Sequence, residues 1–270
     1  MAKNNPIPKR IQGKKNTRKK SSTTFSFSKQ KGGSRLKIGI FLAMAILLVI
    51  LLVRYQSNHG LKKGEFTSLT EDIPEGFKSL GIDVSHHQGE IDWDSFLNIY
   101  KYDTLVDFIY VKATEGTTHV DTQWENNRKA LLTCKPKHGA YHFFSPGSDP
   151  KLQAKHFLNH YAYKIGDLPP VLDVESEGTT DKQLLRDIEI WCTTVEASIH
   201  VKPIIYTSLH FFETKFKDSF LDYDFWIAAY SQRPESALED DRVIHWQFSE
   251  SGALPLSKNA VDLNVSFLKW

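Results

Sequence analysis

The chain has 270 residues, 40% of them hydrophobic and 24% charged, with 34 Lys and Arg against 32 Asp and Glu for a formal net charge of +2. That balance hides a split: residues 1–37 hold 12 basic side chains and no acid, while residues 55–270 hold 21 basic against all 32 acidic, a net of −11. A uniformly basic nucleic-acid-binding domain is thereby excluded, and two Cys exclude a disulfide-built scaffold.

Residues 1–37 are predicted as a basic cytoplasmic tail, disordered on composition. Residues 38–54 are predicted as a transmembrane signal anchor. Their core, Ile38 to Val53, is 16 residues without a charge, bracketed by Lys37 and Arg54. A spanning helix ordinarily needs about 20 residues; snorkelling of the flanking basic side chains makes up the difference. A cleaved signal peptide would have a short basic head and a small-residue cleavage site. Here the head is 37 residues long and Arg-Tyr-Gln-Ser follows the run. The positive flank stays cytoplasmic, so everything after residue 54 is expected outside the membrane, in the periplasm or at the cell surface. Residues 55–78 have few core-like side chains and read as a stalk.

From residue 79 to 270 short apolar runs recur, rich in β-branched and aromatic residues: Leu80–Val84, Phe108–Ala113, Gly139–Phe144, Pro170–Val174, Pro203–Thr207, Phe225–Ala229, Val243–Phe248 and Ala260–Val265. Helical patterns separate several of them. Thr122-x-x-Glu125 reads as a capping box. Asp149-Pro150 reads as an N-cap followed by Pro at the first helical position. Thr180 caps a helix to about Ser198, with Leu184, Leu185, Ile188, Trp191, Cys192 and Val195 on one stripe. Residues 208–217 read as a shorter helix, and the last three strands leave little room for more. Eight strands with helices between most of them predict an α/β fold, a TIM-like (β/α) barrel with reduced late crossovers. An open doubly wound sheet is the alternative, but no glycine-rich nucleotide loop follows any strand.

Acids gather at predicted strand ends: Asp83, Asp173, Glu175 and Asp262. In barrels that face carries the active site. Asp173 and Glu175 are two apart on a strand, so their carboxyl groups share a face, with Cα atoms roughly 6–7 Å apart. Like charges that close push one pKa up. The pair then divides into a proton donor and an ionised partner, which glycoside hydrolysis requires. The plain alternative is a solvated strand end. His86-His87 raises metal binding, but neighbours in an extended segment point to opposite faces, and no metal or cofactor is expected. No G-x-S-x-G elbow supports a serine nucleophile. Cys134 and Cys192 sit in predicted helices, and whether they are bonded stays open. Residues 55–270 hold 30 Phe, Trp and Tyr. Tyr141, Phe143, Tyr206, Tyr230 and Trp246 lie in or just after strands and fit either a barrel core or a sugar cleft.

The segment 81–89, Gly-Ile-Asp-Val-Ser-His-His-Gln-Gly, with Ile-Asp-Trp at 91–93, resembles the opening of glycoside hydrolase family 25, lysozymes that cut peptidoglycan. Seven later segments resemble the family in the same order, at 110–116, 139–144, 166–175, 203–207, 225–230, 246–249 and 261–265. The resemblance spans about residues 79–268. It implies a modified barrel of about five β/α units and three strands. It implies hydrolysis of the β-1,4 bond between N-acetylmuramic acid and N-acetylglucosamine. Asp83, Asp173, Glu175 and Asp262 match the family's active-site acids, with Glu175 as general acid and Asp173 as stabilising partner that orients the substrate's acetamido group. Tyr206 and Gln247 would line the same cleft. Peptidoglycan strands are thus the expected partner, with membrane contact through the N-terminal helix, no nucleic acid, and a monomer. A glycosidase of chitin-like polymers and a catalytically silent glycan binder are the rivals. The family's frequent Gly-rich turn before the last strand is missing from Ser249–Asn259, and the tail and anchor lie outside the family domain.

Overall fold

The computed structural model describes residues 73–100, 106–132, 136–178, 180–253 and 259–269. The basic tail, the apolar run 38–54, most of the stalk and Cys134 lie outside them. Among the described residues no helix is long and apolar enough to cross a membrane.

In chain order the elements are β1 (Ser79–Val84), a 3-10 turn (His86–Gln88), α1 (Trp93–Tyr100), β2 (Phe108–Glu115), β3 (His119–Val120), α2 (Trp124–Leu131), β4 (Lys137–Phe143) and α3 (Pro150–His160). There follow β5 (Val171–Val174), α4 (Asp181–Ile199), β6 (Ile204–Ser208), α5 (Leu209–Phe211) continuing as a π turn (Phe212–Phe216), β7 (Phe225–Ala228), α6 (Glu235–Leu238), β8 (Val243–Gly252) and β9 (Val261–Ser266). The sheet order is β1-β9-β8-β7-β6-β5-β4-β2-β3, and β1 also pairs with β2. That last pairing closes a barrel from every strand except β3, which folds back on β2 as a hairpin. Within the barrel the strands β1, β2 and β4 to β8 run parallel, and β9 is antiparallel to both its neighbours. The eight predicted strands are all present, and the α/β mixed barrel is the architecture found; the two-residue β3 was not foreseen.

Strand alternation divides the side chains into two layers. Ile82, Val84, Ile109, Val111, Leu172, Val174, Ile205 and Ile227 face the helices, and meet there Phe157 and the Leu184–Val195 stripe of α4. Burying one such side chain contributes about 1.5–3 kcal/mol. Phe108, Tyr110, Val171, Ile204, Tyr206 and Trp226 fill the barrel interior. Gly81 belongs to that layer because Phe108 lies against it, and a Cβ there would collide with the ring. Cys192 is buried on α4 with no disulfide partner among the described residues, and burial pushes its pKa up.

Two of the three predicted helix starts hold. Asp149 accepts from the Lys151 and Leu152 main-chain N–H groups at 2.8 and 3.0 Å. Thr180 Oγ1 accepts from Gln183 N at 3.2 Å. The third is corrected: α2 has Gln123 at its N-cap with no side-chain cap, so Thr122 and Glu125 form no capping box. Asp121 supplies the acceptors instead, its carboxylate taking Gln123 N at 2.9 Å and its carbonyl Trp124 N at 3.0 Å.

Candidate active site

The C-terminal end of the barrel opens into a cleft of about 340 Å³. Asp83, Asp173, Glu175 and Asp262 all line it, together with Tyr141, Phe143, Tyr206, Tyr230 and Gln247. Nine of the ten side chains expected at the site are therefore brought together. Trp246 is not: it lies on the outer face of the barrel with Leu80 and Val265, and its Nε1 donates to the Ala229 carbonyl at 2.8 Å. The reason is strand parity. Gln247 points inward, so its neighbour must point outward.

Asp83 sits directly opposite Asp262 in the β1–β9 ladder. Its Oδ2 accepts from Gln247 Nε2 and Asn264 Nδ2, each at 2.8 Å. Behind these stand further donors. Trp226 Nε1 donates to Asn264 Oδ1 at 2.9 Å. The hydroxyls of Tyr206 and Tyr230 both donate to Gln247 Oε1, at 2.7 and 2.6 Å. The carbonyl oxygens of the two amides that hold Asp83 are thus fixed by further donors, which orients their N–H groups toward it. Burial pushes the Asp83 carboxyl up, and the Asn264 and Gln247 bonds partly restore its charge. Asp262 is pushed up by burial and then by the charge of Asp83. A buried like-charged pair of this kind keeps one proton between its members at neutral pH. The donors converging on Asp83 place that proton on Asp262.

Asp173 ends β5, in register with Tyr206 on one side and Phe143 on the other. It is 7% exposed, and its Oδ1 is buried without a hydrogen-bond partner among the described residues. Burial raises its pKa well above the usual range, and the charge of Glu175 adds to this. Glu175 stands exposed at the rim. Burial by the cleft wall raises its pKa too, opposed by the Tyr206 hydroxyl and the Lys112 charge. Tyr206 has one proton for two acceptors; with Tyr230 also donating to Gln247, it can turn to Glu175.

Lys112, Trp226, Glu250 and Asn264 were not foreseen. Lys112 Nζ lies 2.7 Å from Glu115 Oε2 and 4.6 Å over the Phe143 ring, and brings positive charge into an acidic cleft. Lys112 is two residues past inward-facing Tyr110, and Asn264 two past Asp262, so parity carried the signal for both. The segment at His86-His87, read as extended, is instead a 3-10 turn capped by Ser85, whose Oγ accepts from His87 N at 3.1 Å. The two rings consequently lie side by side, their centroids 4.1 Å apart and their planes tilted by 36°. His86 Nδ1 lies 2.7 Å from Asp121 Oδ2, the same aspartate that starts α2, while His87 lines the cleft. Among the described residues no group of three or more His, Cys, Asp or Glu is arranged to hold a metal ion.

The arrangement can donate a proton from one carboxyl, stabilise positive charge with others, and hold polar substituents against tyrosine and amide groups. A model of glycosyl hydrolases family 25 matches residues 82–256. The uncharacterized protein YegX of Escherichia coli (strain K12) is 35% identical over 196 residues, covering 72% of this chain and 71% of that protein. Lysozyme M1 of Streptomyces globisporus is 28% identical over 199 residues, covering 68% of this chain and 66% of that protein. The solved structure of a family 25 glycosyl hydrolase from Bacillus anthracis is similar with a TM-score of 0.66 and 26% identity, over 73% of this chain and 93% of that one. The chain belongs to glycosyl hydrolase family 25 and is a glycoside hydrolase.

Proposed function

We propose that the chain is a membrane-anchored muramidase that hydrolyses the β-1,4 bond between N-acetylmuramic acid and N-acetylglucosamine in peptidoglycan. The observation that carries this reading is the buried Oδ1 of Asp173, without a partner and two residues from Glu175 at the mouth of the cleft. A 2-acetamido N–H is the donor that such an acceptor lacks.

Without substrate, burial favours the neutral form of Asp173 more than that of the more exposed Glu175. An acetamido N–H donated to Asp173 favours its ionised form. The same sugar covers Glu175 and removes water from it, which favours the neutral acid. Substrate binding therefore moves the shared proton from Asp173 to Glu175. Glu175 then protonates the leaving glycosidic oxygen. Asp173, now charged, orients the acetamido group and balances the positive charge that develops at the anomeric carbon, the substrate-assisted form of the reaction. Water completes the hydrolysis, and Glu175 takes back a proton from it. Asp83 and Asp262 hold the opposite wall at one net negative charge.

The full chain is incubated with peptidoglycan, and the fragments are reduced with borohydride and analysed by mass spectrometry. Muramitol ends are expected. Glucosaminitol ends would reverse the bond assignment, and release from chitin alone would move the substrate. The anchor rests on the apolar run at 38–54 and its basic flank. It predicts that the chain stays with the membrane fraction after carbonate washing, and that protease added outside the membrane removes the hydrolase domain only.

A further inference from the structure

Beside the cleft lies a second hollow of about 490 Å³. Tyr230 lines both. Its remaining walls include Arg233, Trp246, Phe248, Ser249 and Ser251, and no carboxylate among the described residues. The cleft, by contrast, is lined by five: Asp83, Asp173, Glu175, Glu250 and Asp262. In a chain whose residues 55–270 carry a net charge of −11, a hollow whose only charged lining residue among the described residues is a guanidinium is an electrostatic exception.

Arg233 is held in place. Its guanidinium lies 5.2 Å over the Phe77 ring and 5.8 Å over Trp246. Nη1 donates to the Glu75 carbonyl at 3.0 Å, and Nε lies 3.3 Å from Glu235 Oε1. Nη2 has no hydrogen-bond partner among the described residues. A planar cation fixed on two of its three nitrogens, with the third open, is set to receive a carboxylate without first losing side-chain freedom. Glu235 is a surface partner, and such pairs are weak competitors. The aromatic walls suit the apolar face of a sugar, and the serine hydroxyls suit its polar edge.

We propose that this hollow is an accessory glycan subsite, in which Arg233 binds a carboxylate carried by a sugar unit further along the strand being cut. It rests on the peptidoglycan reading, since N-acetylmuramic units bear a carboxylate on the lactyl group or, where that group is amide-linked to a stem peptide, on the peptide, whereas chitin bears none. Tyr230 lines both, so the hollow adjoins the cleft and lies within reach of a strand bound there.

The test measures binding of the full chain carrying Glu175→Gln, which prevents turnover, to insoluble peptidoglycan by cosedimentation. The glycan is used native, or with its carboxylates amidated by carbodiimide and ammonia. Arg233→Ala and Arg233→Gln are compared on the same background; the glutamine keeps a polar side chain at the position and removes the charge. The parent is expected to lose about tenfold in affinity on amidation, the size of one charge-assisted hydrogen bond. Each Arg233 variant is expected to lose the same on native glycan and less than twofold more on amidated glycan. Equal binding of parent and Arg233 variants to native glycan overturns the subsite. So does a full amidation effect in the variants, which would place carboxylate recognition elsewhere. Wild-type hydrolysis run alongside separates the two readings: muramitol ends without an Arg233 effect remove the subsite alone, and neither binding nor muramitol ends removes both.

Discussion

Asp83 and Asp262 face each other across the β1–β9 ladder, and only Asp83 is supplied with amide donors. This asymmetry decides which carboxyl keeps the shared proton. Asp262, with its pKa pushed up to about 8, binds a proton in the folded state that the unfolded chain releases near pH 4. A folded state that holds more protons loses stability as pH rises through that interval. Asp262→Asn removes the titration and keeps an N–H to offer Asp83. The variant is expected to match the wild type in thermal unfolding near pH 4 and to melt several degrees higher at pH 8.5, where a gain of about 1 kcal/mol corresponds to about 2–4 °C for a domain this size. Equal melting at both pH values would place the proton elsewhere.

Glu175 and Asp173 separate in the same kind of experiment. Glu175 is exposed, so Glu175→Gln should leave the melting temperature within about 2 °C. Hydrolysis should fall by at least about 10²–10⁴-fold, the contribution of a positioned general acid. Asp173→Asn replaces a buried carboxyl, already raised by burial, with a neutral amide of the same shape. Its stability at pH 7 should be kept or increased while activity on peptidoglycan falls. Full activity in either variant contradicts the proton transfer assigned to the pair.

The barrel was readable because its strands are short, apolar and evenly punctuated, and because Asp-x-Glu at the end of an apolar run puts two acids on one face. What escaped needed the closed ring. Asn264 and Asp83 are 181 residues apart in the chain, and only the antiparallel return of β9 onto β1 joins them. Trp246 was placed by its strand and not by its parity, although inward Gln247 beside it already fixed its direction. Thr122 matched a helix-start pattern, but Asp121 was already drawn inward by His86, and its acceptors reached the helix first.

Lys112 lines the cleft with Asp173 and Glu175, and its Nζ lies 2.7 Å from Glu115 Oε2. Its charge lowers the proton affinity of both Asp173 and Glu175. Lys112→Met keeps an unbranched side chain of similar length beside Phe143 and removes that charge. Both carboxyls should then hold their protons to higher pH. The pH profile of kcat/KM is expected to move to higher pH on both limbs. A uniform drop in rate with an unmoved profile would mean that Lys112 only supports the cleft wall.

Asn264 connects the interior of the barrel to its acidic face, accepting from Trp226 and donating to Asp83. Asn264→Ala strands a buried indole N–H and takes one of two amide donors from a buried carboxylate. An unsatisfied buried group costs about 1–3 kcal/mol, so destabilisation of at least about 2 kcal/mol is expected from the two together. The remaining Gln247 bond cannot hold the Asp83 charge as well, so its pKa should rise further. Binding of glycan to the Asn264→Ala chain should then require higher pH than in the wild type. Denaturant unfolding measures the first effect, and glycan binding across pH the second. If stability falls while the binding profile stays in place, Asn264 serves the barrel interior and not the charge of Asp83.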